Sequence, residues 1–90
     1  MVRAFIFLNV APSAEADVLQ HLKAIDAVEE AYVSYGVYDL IIRVKAETAE
    51  QLKGIVTGKV RSTNGVLSTL TLMMIEEQAD QNIFPNKIEK

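Results

Sequence analysis

Residues 2–10 form a run in which both alternating sets of side chains are apolar, with Phe5 and Phe7 on one and Ala4, Ile6, Leu8 and Val10 on the other. Successive side chains of a β-strand point to opposite faces, so a strand with this pattern has to be covered on both. A chain of 90 residues has little material for two covering layers. Domains of this size bury only about 60 to 65% of the surface that their unfolded chains expose. The length allows one domain, and the way the two faces of that strand are covered decides its architecture.

The rest of the chain is regularly punctuated. Ala11, Pro12 and Ser13 interrupt the first run; Ser13 is placed to cap a helix, and Glu15 and Asp17 stand near the positive end of that helix. Val18, Leu22 and Ile25, joined by Leu19, give it one apolar stripe. Asp26 and Ala27 break the helix. Residues 28–35 then alternate as a strand whose two halves are out of step unless a bulge lies near Glu29 and Glu30. After Gly36 and Val37 the chain returns over residues 38–46, with Leu40, Ile42 and Val44 facing one way and Asp39, Ile41, Arg43 and Lys45 the other, as in an antiparallel hairpin. Thr48-Ala49-Glu50-Gln51 matches a capping box, which starts a second helix with Leu52, Ile55, Val56 and Val60 inward. Asn64-Gly65 ends that helix with a left-handed residue. Residues 66–75 form a last strand, with Leu70, Leu72 and Met74 opposing Thr69, Thr71, Met73 and Ile75.

The resulting order is β-α-β-β-α-β. Right-handed crossovers place both helices on one face of a four-stranded antiparallel sheet with the first and third strands central, a ferredoxin-like α+β fold. The other face, carrying Phe5 and Phe7 or Ile6 and Leu8 together with Ile41 and Met73 or their neighbours, then needs a cover from outside the chain. A second copy can supply it. At about 25 cal/mol per Å2, hiding several hundred Å2 of apolar sheet is worth on the order of 10 kcal/mol before association costs. The expected form is a homodimer packed sheet to sheet, a dimeric α+β barrel; a monomer with a partly exposed sheet is the alternative. The domain is expected over residues 1–77, followed by a C-terminal tail over 78–90.

Composition narrows the function. Half of the residues are hydrophobic and 23% charged, which is rich for a small monomer and far from disorder. A net charge of −3 leaves no electrostatic footprint for nucleic acid or an anionic membrane. The chain has no cysteine, hence no disulfide framework, thiolate nucleophile or cysteine metal site, which fits a cytoplasmic protein. The opening apolar run is too short to span a bilayer. His21, the one histidine, has no second ligand at metal-binding spacing, so no metal or cofactor is expected. Gly54 and Gly58 sit four apart inside the second helix, where each costs roughly 1 kcal/mol against alanine. Close approach by another subunit and simple tolerance both explain them.

The candidate site is Tyr35-Gly36-Val37-Tyr38-Asp39, which puts a carboxylate, two phenols and a permissive backbone into one turn. Asp39 can pair with an ammonium group, and backbone N–H groups around Gly36 can receive a carboxylate, a combination suited to an α-amino acid. Tyr35 and Tyr38 can wall the pocket. Ser68, Thr69 and Thr71 add hydroxyls on the last strand. The same residues are compatible with an ordinary hairpin in which Asp39 is solvated and the threonines are β-formers.

The order of elements, the hairpin from Tyr35 to Leu40, the Asn64-Gly65-Val66 turn and the Ser68-Thr69-Leu70-Thr71-Leu72 strand together resemble the effector domain of the Lrp/AsnC transcription regulators, known as the RAM domain. The Asn82-Ile83-Phe84-Pro85 segment is similar to that family's terminal segment. Met1 opens directly on the first strand, so the resemblance is to a stand-alone domain without the helix-turn-helix half. It implies dimers that assemble further, with amino-acid effectors held between dimers. It carries Tyr35, Gly36, Val37, Tyr38, Asp39, Thr69 and Thr71 over as ligand-binding positions. Val37 departs from the pattern, standing where many relatives have an acidic or amide residue. Such a domain would act on transcription indirectly, by assembly with full-length regulators. Two other readings stay open: a small dimeric α+β-barrel monooxygenase or isomerase, for which His21, Asn9, Tyr32 and Tyr35 are a thin catalytic set, and an assembly module without effector.

Overall fold

The structure, a computed structural model, describes residues 1–74. Ile75, the expected boundary at residue 77 and the tail over 78–90 lie outside the described residues. Strand β1 (Val2–Val10) leads to helix α1 (Glu15–Lys23), β2 (Val28–Val33), β3 (Leu40–Ala46), helix α2 (Ala49–Ile55) with a π-helical extension (Val56–Val60), and β4 (Val66–Met74). The sheet is antiparallel throughout with the order β2-β3-β1-β4, so the first and third strands are central as the crossover argument required.

The double-sided pattern of β1 resolves in one sense only. Ala4, Ile6, Leu8 and Val10 point to the helix layer and join Leu40, Ile42, Val44 and Ala46 of β3, Val18 and Leu22 of α1, and Leu52, Val56 and Val60 in a core that contains no polar side chain among the described residues. Phe5 and Phe7 take the other face, opposite Arg43 and Ile41 of β3 and opposite Leu72 and Leu70 of β4. Met73 packs against the core, so its expected place beside Ile41 belongs to Leu70 and Leu72 instead.

The bulge falls where the alternation broke. Val28 pairs with Val44 and Glu30 with Arg43, leaving Glu29 as the extra residue. Both glutamates thereby reach the open face. Glu29 Oε1 lies 3.0 Å from Arg3 Nε and 3.1 Å from Arg43 Nε, Lys45 Nζ is 3.7 Å from its other oxygen, and Arg43 Nη2 lies 3.1 Å from Glu30 Oε2.

The helix ends differ from expectation in three places. Ser13 does not cap α1. Its φ of +69° follows Pro12 in a tight turn closed by Ala14 N–H donating to the Ala11 carbonyl, a geometry with proline second and a left-handed residue third, and the helix starts at an uncapped Ala14. In α2, Gln51 N–H donates to Thr48 Oγ1 as the capping box requires, but the Gln51 side chain reaches Glu47 N–H, one residue further back than expected. The helix stops at Val60 rather than at Gly65; Ser62 and Thr63 hydroxyls donate to the Gly58 and Lys59 carbonyls, and Gly65 (φ +99°) turns the chain into β4. Gly65 is demanded twice over, because a Cβ there would lie 2.9 Å from Val18 Cγ2. Among the described residues, Gly54 and Gly58 have open space where their Cβ atoms would be.

Candidate functional site

The β2–β3 connection, residues 34–39, is fastened at its base and free at its tip. Ser34 N–H donates to the Asp39 carbonyl at 2.8 Å, Asp39 N–H to the Leu8 carbonyl at 2.8 Å, and Val10 N–H to Asp39 Oδ2 at 2.9 Å. The ladder between β1 and β3 ends at Leu8 and Leu40, so the Asp39 side chain takes over as acceptor for the next strand N–H group. The carboxylate expected to meet an ammonium group is therefore already half engaged, while its Oδ1 has no donor among the described residues.

Beyond that base, Tyr35 is 96% and Val37 81% exposed, and among the described residues no atom other than those of the adjacent residues lies within 4 Å of the position a Gly36 Cβ would occupy. Gly36 has φ +146°, outside the range other residues adopt readily. Tyr38 behaves differently from Tyr35. Its ring packs on Phe7 with centroids 5.5 Å apart at 52°, and the two border a cavity of about 330 Å3 with Leu70 and Leu72 on the open sheet face.

Thr69 and Thr71 pair with Leu8 and Ile6 and so share the helix side of the sheet with them. There they line a groove of about 520 Å3 together with Leu52, Lys53, Val56, Thr57, Arg61 and Met73. Within one copy the expected site residues thus divide into four groups: an exposed tip (Tyr35, Gly36, Val37), a pinned base (Asp39), a cavity on the open face bordered by Tyr38, and a groove on the helix side lined by Thr69 and Thr71. Ser68 instead accepts from Asn9 Nδ2 at 3.5 Å on the open face. The sequence reading overlooked Lys53 and Arg61; the signal was available in the spacing of Lys53, Thr57 and Arg61, four residues apart along one helical face.

The open face has two ends. The aromatic and aliphatic end lies beside the 34–39 loop, and the charged end surrounds Glu29. The Arg3 hydrogen bond and then the charges of Arg3 and Arg43 hold the Glu29 carboxyl below its usual range against the opposing effect of burial. Tyr32, which donates to Glu30 Oε1, has its phenol raised by that bond. His21 Nδ1 sits 2.9 Å from the Asp17 carbonyl oxygen on the exposed flank of α1, in the helix layer, whereas Asn9 and Tyr32 stand on the other side of the sheet. No helix among the described residues is long and apolar enough to cross a membrane, and no group of three or more His, Cys, Asp or Glu side chains among them could hold a metal ion.

Topology, register and the one-sided helix layer define the class, a ferredoxin-like α+β domain. Residues 3–83 match the Lrp/AsnC ligand binding domain, and the chain belongs to that family. It is 32% identical over 73 residues to an uncharacterized HTH-type transcriptional regulator of Pyrococcus horikoshii, covering 78% of this chain and 49% of the relative. The crystal structure of a protein described as FFRP-DM1 is 40% identical and superposes with a TM-score of 0.81 over 83% of this chain and 100% of that one. Escherichia coli AsnC, at 26% identity, superposes with a TM-score of 0.79 over 83% of this chain and 51% of its own. The chain spans about half the length of the curated relatives it matches.

Proposed function

We propose that this domain is an amino-acid effector-binding and oligomerisation module, without catalytic activity of its own, that modulates transcription by assembling with full-length regulators of its family in the cytoplasm. The observation that carries the reading is the 34–39 loop: a hydrogen-bonded base presents Tyr35, Gly36 and Val37 to solvent, with apolar side chains exposed and, among the described residues, open space at the glycine. A tip built this way is half a pocket, and a neighbouring copy supplies the other half. Dimerisation through Phe5, Phe7, Ile41, Leu70 and Leu72, followed by contact between dimers at this loop, would bring the halves together. Asp39 Oδ1 would receive the effector's ammonium group while Oδ2 keeps the Val10 N–H. The role of Thr69 and Thr71 in the same pocket then depends on the neighbouring copy.

The prior engagement of Asp39 also favours a second reading, an assembly module that binds no effector. Thermal unfolding with each of the twenty amino acids separates the two. A ligand at about 100 times its dissociation constant stabilises the fold by about 2.7 kcal/mol. The expected result is a selective rise in the unfolding midpoint that is lost in Asp39→Asn, a variant that retains an acceptor for Val10 N–H and removes only the charge. A shift of equal size in Asp39→Asn would rule out the ammonium pairing, and no shift with any amino acid would leave the effector-free module. Nothing among the described residues favours the enzyme alternative.

A further inference from the structure

The groove between α2 and β4 is open for an architectural reason. Helix α1 leads from β1 to β2 and α2 from β3 to β4, and α2 packs on β3 and β1, so that among the described residues no helix covers the helix side of the β4 edge. Its lining has a definite chemistry. Val56 and Met73 form an apolar floor, Lys53 and Arg61 bring two cations, and Thr69 and Thr71 add hydroxyl donors. Among the described residues neither Lys53 nor Arg61 has an ion pair, and no aspartate or glutamate lines the groove. At about 520 Å3 it falls in the size range of small-molecule sites, about 300 to 1,000 Å3.

We propose that this groove binds a short aliphatic carboxylate that carries no ammonium group, of the 2-oxo acid class. The two cations match the carboxylate. An α-amino acid would bring its ammonium group to a lining that, among the described residues, has two positive charges and no negative one, and so would be disfavoured. The keto oxygen of a 2-oxo acid is a second acceptor beside the carboxylate, and the threonine hydroxyls are donors of the right kind for it. The aliphatic tail lies over Val56 and Met73. This site shares Thr69 and Thr71 with the effector positions named above, but it uses none of the 34–39 loop, adds Lys53 and Arg61 and takes a ligand class other than the amino acid, so it goes beyond the function proposed above.

The test follows the Met73 methyl resonance in the full chain during separate titrations with 4-methyl-2-oxopentanoate, leucine and the uncharged 4-methylpentanamide. The oxo acid is expected to move Met73 saturably, and leucine and the amide to leave it in place. The Lys53→Gln, Arg61→Gln double variant should weaken oxo-acid binding on the order of tenfold or more. Both side chains are exposed, so the variant should keep its unfolding midpoint, and Lys53→Arg with Arg61→Lys should retain binding. Asp39→Asn should also retain it, which separates this site from the amino-acid reading. The proposal is overturned if the oxo acid at millimolar concentration leaves Met73 unmoved, if the double variant binds like the parent, or if leucine or the amide moves Met73 as far.

Discussion

Glu29 has an unusual position for a glutamate: it is the extra residue of a bulge and faces three cations from the two central strands. Its carboxyl is held below the usual 4.5, chiefly by the Arg3 hydrogen bond. A carboxyl that is more acidic in the folded than in the unfolded chain stabilises the fold fully above the unfolded value and loses that contribution as pH falls through the folded one. The unfolding midpoint should therefore fall as pH drops below about 4.5. In Glu29→Gln it should be lower at neutral pH and flatter in acid. Thermal unfolding of both proteins across that range checks this, and parallel curves would show that Glu29 contributes nothing to the pH dependence. Asp39 illustrates how far a single residue can be read. Its place after a glycine turn was visible in the sequence, but its bond to Val10 N–H joins residues 29 positions apart and needed the fold.

At the scale of elements, α2 shows local chemistry setting a boundary. Thr48 Oγ1 accepts Gln51 N–H, and the glutamine side chain accepts Glu47 N–H, so two donors at the helix start are satisfied side by side. Thr48→Ala should cost about 1 kcal/mol, read as a lower urea midpoint with an unchanged slope. A loss below about 0.3 kcal/mol would mean that water serves the helix start as well as the threonine does. The other end was less legible. Arg61 N–H donates to the Val56 carbonyl five residues back, and serine and threonine hydroxyls complete the last turn, so the helix finishes before the Asn64-Gly65 pair that looked like its stop. Gly65 is left-handed as expected, in the turn that follows rather than at the cap.

For the whole molecule the open sheet face is the dominant fact. Leu70 and Leu72 are 52% and 56% exposed in one copy and stand opposite Phe7 and Phe5, a contiguous apolar surface of the kind that pairs with another. Sheet-to-sheet association predicts an unfolding midpoint that rises with protein concentration. Leu72→Lys should abolish that dependence and halve the mass seen in sedimentation equilibrium, with far-ultraviolet circular dichroism unchanged. A parent protein that sediments as a monomer at all concentrations would remove the dimer. The charged end around Glu29 belongs to the same face and would set the register of the partner.

What one strand and its neighbours encode locally was available without coordinates: the alternation of β1, the stripe of α1, the bulge at Glu29, the cap at Thr48, and through them the β-α-β-β-α-β order and the ferredoxin-like fold. These follow from periodicities of two and of 3.6 residues, which depend only on near neighbours in the chain. The sense in which β1 faces its two layers, the capture of Asp39 by Val10, the place of Ser13 in a turn and the separation of Thr69 and Thr71 from the 34–39 loop were decided by tertiary structure alone. Each depends on which distant residues the register brings opposite one another, and a register of one residue either way exchanges every inward side chain for an outward one.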